Sequence, residues 1–260
     1  MEIKKVGVVG CGLMGAGIAQ TVAEGGYATI VREPTRELLD KGLERIRSSL
    51  AKGVEKGKVT AARRDQVWGL VRGTTELGDL ADCDLVIEAI VEVRDAKRNL
   101  FAELDRVCKP GAILVTNTSS FSVADLASAT PRGGHVAGLH YFFPSLVNKL
   151  VEVIRTPQTA SEVVEALLGF ARLTGKLPIT VQDAPGFAVN RYFVPWLNES
   201  VRLLDEGAAN IPTIDAAACD AFGIGMGPFA LMNATGLPIT FHSTGSLAGR
   251  WVISMPPRPA

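Results

Sequence analysis

Two residues of this chain stand where acid–base chemistry would need them: His140 closes the apolar run Val136–Leu139, and Glu152 interrupts Leu150–Ile154. Histidine is the side chain whose charge changes near neutral pH, which suits His140 to act as a catalytic base; a packed structural histidine is the alternative. A carboxylate inside so apolar a run is costly unless partnered. His140 on a neighbouring strand would serve; a pairing with Lys149 or a solvated sheet face is the alternative. Ligands of open α/β sheets bind beyond the carboxyl ends of the strands, so His140 falls at the ligand edge. His135 opens the same strand at the opposite edge, and His242 lies in a poorly patterned C-terminal region. Asn117-Thr118-Ser119-Ser120 follows the run Ala112–Thr116 at the ligand edge. It offers an amide and hydroxyls to a polar substrate, or else an N-cap, a role Ser122 can fill.

Gly10-Cys11-Gly12-Leu13-Met14-Gly15 follows a β-rich run directly and opens a helical pattern, the context that gives a G-x-G-x-x-G string meaning. Gly10 allows the tight turn, Gly12 lets backbone N–H groups approach a pyrophosphate, and Gly15 lets the helix lie close to its strand. Eighteen residues after Gly15 stands Glu33, where a carboxylate accepts hydrogen bonds from an adenosine ribose. That favours NAD, with NADP as the alternative: Arg32 and Arg36 flank Glu33 and either meet a 2′-phosphate or stand as solvated charges.

These residues need a frame. Short β-branched runs at Lys5–Val9, Tyr27–Arg32, Asp84–Ala89, Ala112–Thr116, Val136–His140, Leu150–Arg155 and Pro178–Val181 alternate with longer amphipathic stretches. The latter are Leu13–Glu24, Thr35–Leu50, Ala61–Val71, Arg94–Cys108, Val123–Ala129 and Ser161–Thr174. Alternation of this kind predicts an α/β fold, a Rossmann-type doubly wound and mostly parallel sheet. Thr159-Ala160-Ser161-Glu162 reads as a capping box and Gly175 as a helix stop. After Pro185 the strand signals fade. Phe187–Glu206 reads as a long helix ended by Gly207, followed by helices at Pro212–Phe222 and from Pro228. The expected division is therefore 1–183 as a dinucleotide-binding domain and 184–260 as a smaller all-α domain, with 249–260 an irregular tail.

The 260 residues suffice for one large core or two smaller ones. Lys+Arg 27 against Asp+Glu 27 leaves no positive excess, so nucleic acid is not an expected partner. Cys11, Cys83, Cys108 and Cys219 are scattered without a C-x-x-C pair, which suggests neither zinc nor a disulfide framework and fits a reducing, cytoplasmic setting. The opening MEIKKVGVVGCG runs into the glycine loop, so it does not read as a signal peptide. The uncharged run Ala221–Phe241 is broken by glycine and proline, and no membrane span is expected.

With the glycine loop, Asn117–Ser120, His140 and Glu152 in that order, the sequence resembles the 3-hydroxyacyl-CoA dehydrogenase family, close to 3-hydroxybutyryl-CoA dehydrogenases. The resemblance runs from about Lys4 to Ala248. It is carried by GCGLMGAGIAQ at 10–20, EAIVE at 88–92, NTSS at 117–120, GLH at 138–140 with KLVEV at 149–153, PGFAVNR at 185–191 and MGPF at 226–229. The resemblance implies that His140 abstracts the 3-hydroxyl proton while hydride passes from C3 to NAD, and that Glu152 orients the imidazole. It implies substrate and cofactor contacts for Ser119 and Asn190. A cofactor site lined by Glu92, Lys97 and Asn117 follows from the same matching, as does a homodimer formed through the helical domain; Ser49 and Lys56, on the helical stretch after the second strand, are either acyl-CoA contacts or plain surface residues. Three departures stand out: Phe143 occupies the position of the family's usual asparagine, Glu33 replaces its usual aspartate, and Gly249–Ala260 does not continue its helical domain. Alternatives are a dehydrogenase of a free hydroxy acid, gulonate- or carnitine-like, or a crystallin-like nucleotide-binding protein without catalysis.

Overall fold

Valine-rich strands buried on both faces form the centre of the computed structural model, which describes residues 1–236. The strands are β1 (Lys5–Val9), β2 (Ala28–Arg32), β3 (Val71–Thr74), β4 (Leu85–Glu88), β5 (Ile113–Thr116), β6 (Val136–Tyr141), β7 (Leu150–Arg155) and β8 (Leu177–Gln182). They lie in one sheet in the order β3-β2-β1-β4-β5-β6-β7-β8. Pairing is parallel throughout except between β6 and β7, which run antiparallel. The strand order turns back between β1 and β4, and the crevice above that point is where such sheets bind ligands. Because β7 runs against β6, its N-terminal half shares an edge with the C-terminal end of β6.

Helices α1 (Leu13–Glu24), α2 (Arg36–Glu55), α3 (Ala61–Gly69), α4 (Arg94–Val107), α5 (Val123–Ala127) and α6 (Ser161–Leu173) connect the strands. Helix α1 carries no acid in its first turn and no base in its last, and is buried over most of its length, with Ile18, Ala19 and Val22 in one cluster with Val6, Val8 and Val31. Each such aliphatic side chain contributes roughly 1.5–3 kcal/mol by leaving water. Thr35 and Thr60 cap α2 and α3 through their hydroxyls, as Ser122 caps α5.

The structure corrects two local expectations. The helix expected over Ala61–Val71 stops at Gly69, and Val71–Thr74 is a strand. The Leu70 carbonyl accepts from Thr29 N–H at 2.9 Å, and the chain then docks in parallel along β2. Four residues on a sheet edge carry too little periodicity to announce themselves. The capping box at 159–162 does not form: Ala160 is the N-cap of α6, with no side-chain bond. The Thr159 hydroxyl instead donates to the Val136 carbonyl at 2.7 Å, tying the turn to β6. Gly175 does follow the helix end, at φ 76°.

The chain divides into two compact units, the second starting at Ala184. Described by itself, the second unit holds α7 (Val189–Asp205), α8 (Ile211–Phe222) and α9 (Pro228–Thr235). The Asn210 side chain caps α8, which ends at Gly223 in the left-handed region. Asp215 accepts from the N–H groups of Phe229 and Ala230 at 2.8 and 3.0 Å and so caps α9. His242 and the tail 249–260 lie outside the described residues. Among the described residues, 1–236, no helix is long and apolar enough to cross a membrane.

Candidate active site

The turn between β1 and α1 is built so that only glycine fits at two of its positions. Gly10 has φ 94°, and a Cβ there would lie 2.5 Å from the Ala89 carbonyl oxygen; one on Gly15 would lie 1.8 Å from that of Gly10. Gly12 differs: a Cβ would meet nothing within 4 Å, because the space above it is open. Gly12 is also the N-cap of α1 and gives no side-chain cap. First-turn N–H groups without a cap, beneath a residue without a side chain, fit a dinucleotide pyrophosphate in both shape and charge. Leu13 is exposed and Met14 half-buried on the same turn. We expect Gly12→Ala to fold with unchanged thermal stability yet bind NADH more weakly by about 1–3 kcal/mol, the usual cost of an added methyl in a close contact. Fluorescence titration with NADH beside a melting curve checks both halves.

Glu33 stands at the end of β2 and accepts the Cys11 N–H, so one of its oxygens fixes the glycine loop. Arg45 Nη1 donates to the Cys11 carbonyl at 3.4 Å. Burial, with the Glu33 carboxylate adding to it, pushes the Cys11 thiol up to about 12, so it stays a neutral wall of the loop. Of the two flanking arginines, Arg32 donates to the Thr75 carbonyl at 3.3 Å and Arg36 forms an ion pair with Asp40 at 2.9 Å.

His140 and Glu152 face each other across the antiparallel pair β6–β7. His140 Nδ1 lies 2.7 Å from Glu152 Oε2, with Glu152 wholly buried and His140 5% exposed. A carboxylate only accepts, so Nδ1 carries the proton and Nε2 is the atom suited to take one from a ligand. Phe142 packs against the imidazole with ring centroids 4.4 Å apart and the planes tilted by 56°. Asn117 Oδ1 accepts the Tyr141 N–H at 2.8 Å, tying the end of β5 to the residue after His140. His135, by contrast, sits in the short turn ahead of β6.

Glu92 holds the 117–120 loop. Its Oε1 accepts from the hydroxyls of Thr118 and Ser120, the latter at 2.9 Å, and from the Ser119 N–H at 3.2 Å. Loss of hydration would raise the Glu92 carboxyl; the Lys97 ammonium and these hydroxyls outweigh it and hold the group below the ordinary glutamate range. Lys97 lies 3.1 Å from Glu92 Oε2 and is itself 1% exposed. Its other partner is Glu88, fully buried, which also accepts from the Thr116 hydroxyl at 2.6 Å and the Ile90 N–H at 2.8 Å. Lys97 therefore stands behind Glu92, bracing it, and Glu88, the first residue of the EAIVE stretch, joins the same network without having been a candidate site residue. Besides that match, its signal in the sequence is an acid closing the apolar run Leu85–Ile87.

Ser49 lines a cleft of about 850 Å³ between α1, α2 and the loop after β6, with Leu13, Arg45, Phe143 and Pro144. Lys56 is exposed at the C-cap of α2, outside that lining. Asn190 is the second residue of α7, half-buried in the second unit.

The family model described as 3-hydroxyacyl-CoA dehydrogenase, NAD binding domain, matches residues 5–184, and that of the C-terminal domain matches 186–253. The chain belongs to the 3-hydroxyacyl-CoA dehydrogenase family. Among relatives of this dehydrogenase, the 3-hydroxybutyryl-CoA dehydrogenase of Mycobacterium tuberculosis is 42% identical over 237 residues, covering 90% of this chain and 83% of the relative. The human mitochondrial hydroxyacyl-coenzyme A dehydrogenase is 39% identical over 244 residues, covering 92% and 78%. The crystal structure of (S)-3-hydroxybutyryl-CoA dehydrogenase PaaH1 from Ralstonia eutropha superposes with a TM-score of 0.91 at 35% identity, covering 96% of this chain and 88% of that one.

Proposed function

We propose that this dehydrogenase interconverts (S)-3-hydroxyacyl-CoA and 3-oxoacyl-CoA, short-chain substrates such as 3-hydroxybutyryl-CoA above all, with NAD in preference to NADP. The observation that carries the reading is the buried His140–Glu152 pair at the same sheet edge as the uncapped glycine loop. The names of the relatives support the substrate class. NAD, when bound, supplies the hydride acceptor. His140 takes the hydroxyl proton at Nε2, and Glu152, fixed on Nδ1, stabilises the positive charge that the ring then gains. Ser119, set by Glu92, and Asn190 hold the substrate's oxygen atoms and the cofactor. Gly10, Gly12, Leu13, Met14 and Gly15 form the pyrophosphate cradle, with Glu92 and Asn117 towards the nicotinamide half and Lys97 acting through Glu92. The acyl-CoA arm occupies the cleft of Ser49, with Lys56 at its outer end.

Glu33 supports NAD, since its carboxylate would stand against a 2′-phosphate while Arg32 and Arg36 are already engaged. With acetoacetyl-CoA, kcat/KM for NADH should exceed that for NADPH by on the order of a hundredfold, the scale of a close like-charge clash. Equal values would reject the coenzyme reading. Turnover of free hydroxy acids alone would reject the CoA reading, and NADH binding without any turnover would reject the enzyme. Homodimer formation through the second unit is part of the same proposal, supported by the exposed apolar side chains Tyr192, Phe193 and Val201 of α7. So is residence in a reducing cytoplasm, supported by four cysteines that form no disulfide.

A further inference from the structure

Lys176 is 6% exposed, and both acceptors of its ammonium are neutral: the carbonyls of Ser145 and Asn148, the latter at 2.8 Å. Burying an ammonium whose hydrogen bonds all go to carbonyls, with the Glu24 carboxylate acting on it only at longer range, works against stability, so the placement calls for a reason in what the carbonyls belong to. They belong to residues 142–149, the connection between β6 and β7 that joins His140 to Glu152 and supplies Phe143, Pro144, Ser145 and Leu146 to the cleft.

The loop is held from two sides. On one, Ser145 lies against the backbone of α1 where Gly17 has no side chain; a Cβ there would come within 2.2 Å of Ser145 Oγ. On the other, Lys176 reaches in from the turn between α6 and β8, anchored by its own N–H to the Ala171 carbonyl at 2.9 Å. Inside the loop, the Val147 and Asn148 N–H groups both reach the Pro144 carbonyl at 2.9 Å, and Asn148 Nδ2 reaches that of Phe143 at 2.6 Å. Phe143 and Leu146 stay part-exposed towards the cleft. The Ser145 and Asn148 carbonyls take their donors from this one cation, while the Lys149 carbonyl at the end of the loop accepts the Leu177 N–H at 2.8 Å.

We infer that Lys176 is a positioning residue that clamps the β6–β7 loop against α1 and thereby sets the shape of the cleft that receives the acyl-CoA arm. The inference rests on the proposed substrate, but its clamp is readable without it. It assigns Lys176 to substrate capture rather than to the chemical step or to the cofactor, whose glycine loop it does not touch.

The test uses the full chain with Lys176→Met and Lys176→Arg. For Lys176→Met, KM for acetoacetyl-CoA should rise by roughly tenfold, the scale of a lost charge-assisted hydrogen bond, with a smaller change in kcat and an unchanged NADH affinity. Amide hydrogen exchange should quicken across 142–149 while β1, β4 and β5 keep their protection, and Lys176→Arg should recover part of both effects. Unchanged loop exchange would overturn the clamp. So would exchange that quickens throughout the first unit together with weaker NADH binding, the mark of a general structural role. If the unaltered protein turns over no acetoacetyl-CoA, the proposed substrate fails, and loop exchange still decides the clamp.

Discussion

His140→Ala should lower kcat by roughly 10²–10⁴, the range expected when a positioned general base is removed, with NADH affinity unchanged. The imidazole lies on β6, whereas the pyrophosphate cradle lies at the β1–α1 turn, so losing the ring leaves the cofactor's own contacts in place. Glu152→Gln tests the division of labour. It keeps the volume beside Nδ1 but removes the charge that compensates the imidazolium, so its loss in kcat should be real yet smaller than that of His140→Ala. Steady-state rates with acetoacetyl-CoA and NADH titration of each variant separate these outcomes. Should His140→Ala keep its turnover, the buried pair is architecture and the chemistry lies elsewhere.

That pair was legible in the sequence for a simple reason. An ionisable residue inside or at the end of a continuous apolar run has few places to go, and Glu152 with His140 satisfied that constraint in adjacent strands. The mostly parallel, doubly wound sheet is legible in the same alternation of short apolar runs and amphipathic helices. What escaped were features fixed by partners distant in sequence. Strand β3 is four residues whose only sheet neighbour among the described residues is β2, and its pattern merges with the helix before it. Thr159 has the residue type for a cap, but its Oγ1 accepts the Thr156 N–H at 2.9 Å while its hydroxyl donates to the Val136 carbonyl. Lys176 carried no signal at all, since a lysine beside a glycine stop reads as a solvated charge. Glu33 was placed at the right strand end; that its carboxylate also secures the loop through the Cys11 N–H depends on a turn conformation that no spacing encodes.

The Glu88–Lys97 pair leads to the second large effect, on stability. Lys97→Met should destabilise the first unit by about 3–5 kcal/mol, the cost of leaving a buried charge without its partner. Glu88 is fully buried, and its remaining donors, the Thr116 hydroxyl and the Ile90 N–H, are neutral. Urea unfolding followed by tryptophan fluorescence measures the loss, and Trp68 reports from within this unit. The double variant Glu88→Gln with Lys97→Met should regain most of it, because replacing both ions removes the uncompensated charge that either single change leaves behind. Such a recovery would still not restore catalysis. Glu92 would have lost the ammonium 3.1 Å from its carboxylate, and with it the restraint on the loop that carries Ser119, so KM should remain raised in a protein whose stability has returned. A double variant with native KM would mean that Glu92 holds the loop unaided. A single variant within about 0.5 kcal/mol of the unaltered protein, the scale of a surface change, would mean that the charges are not desolvated as the fold implies.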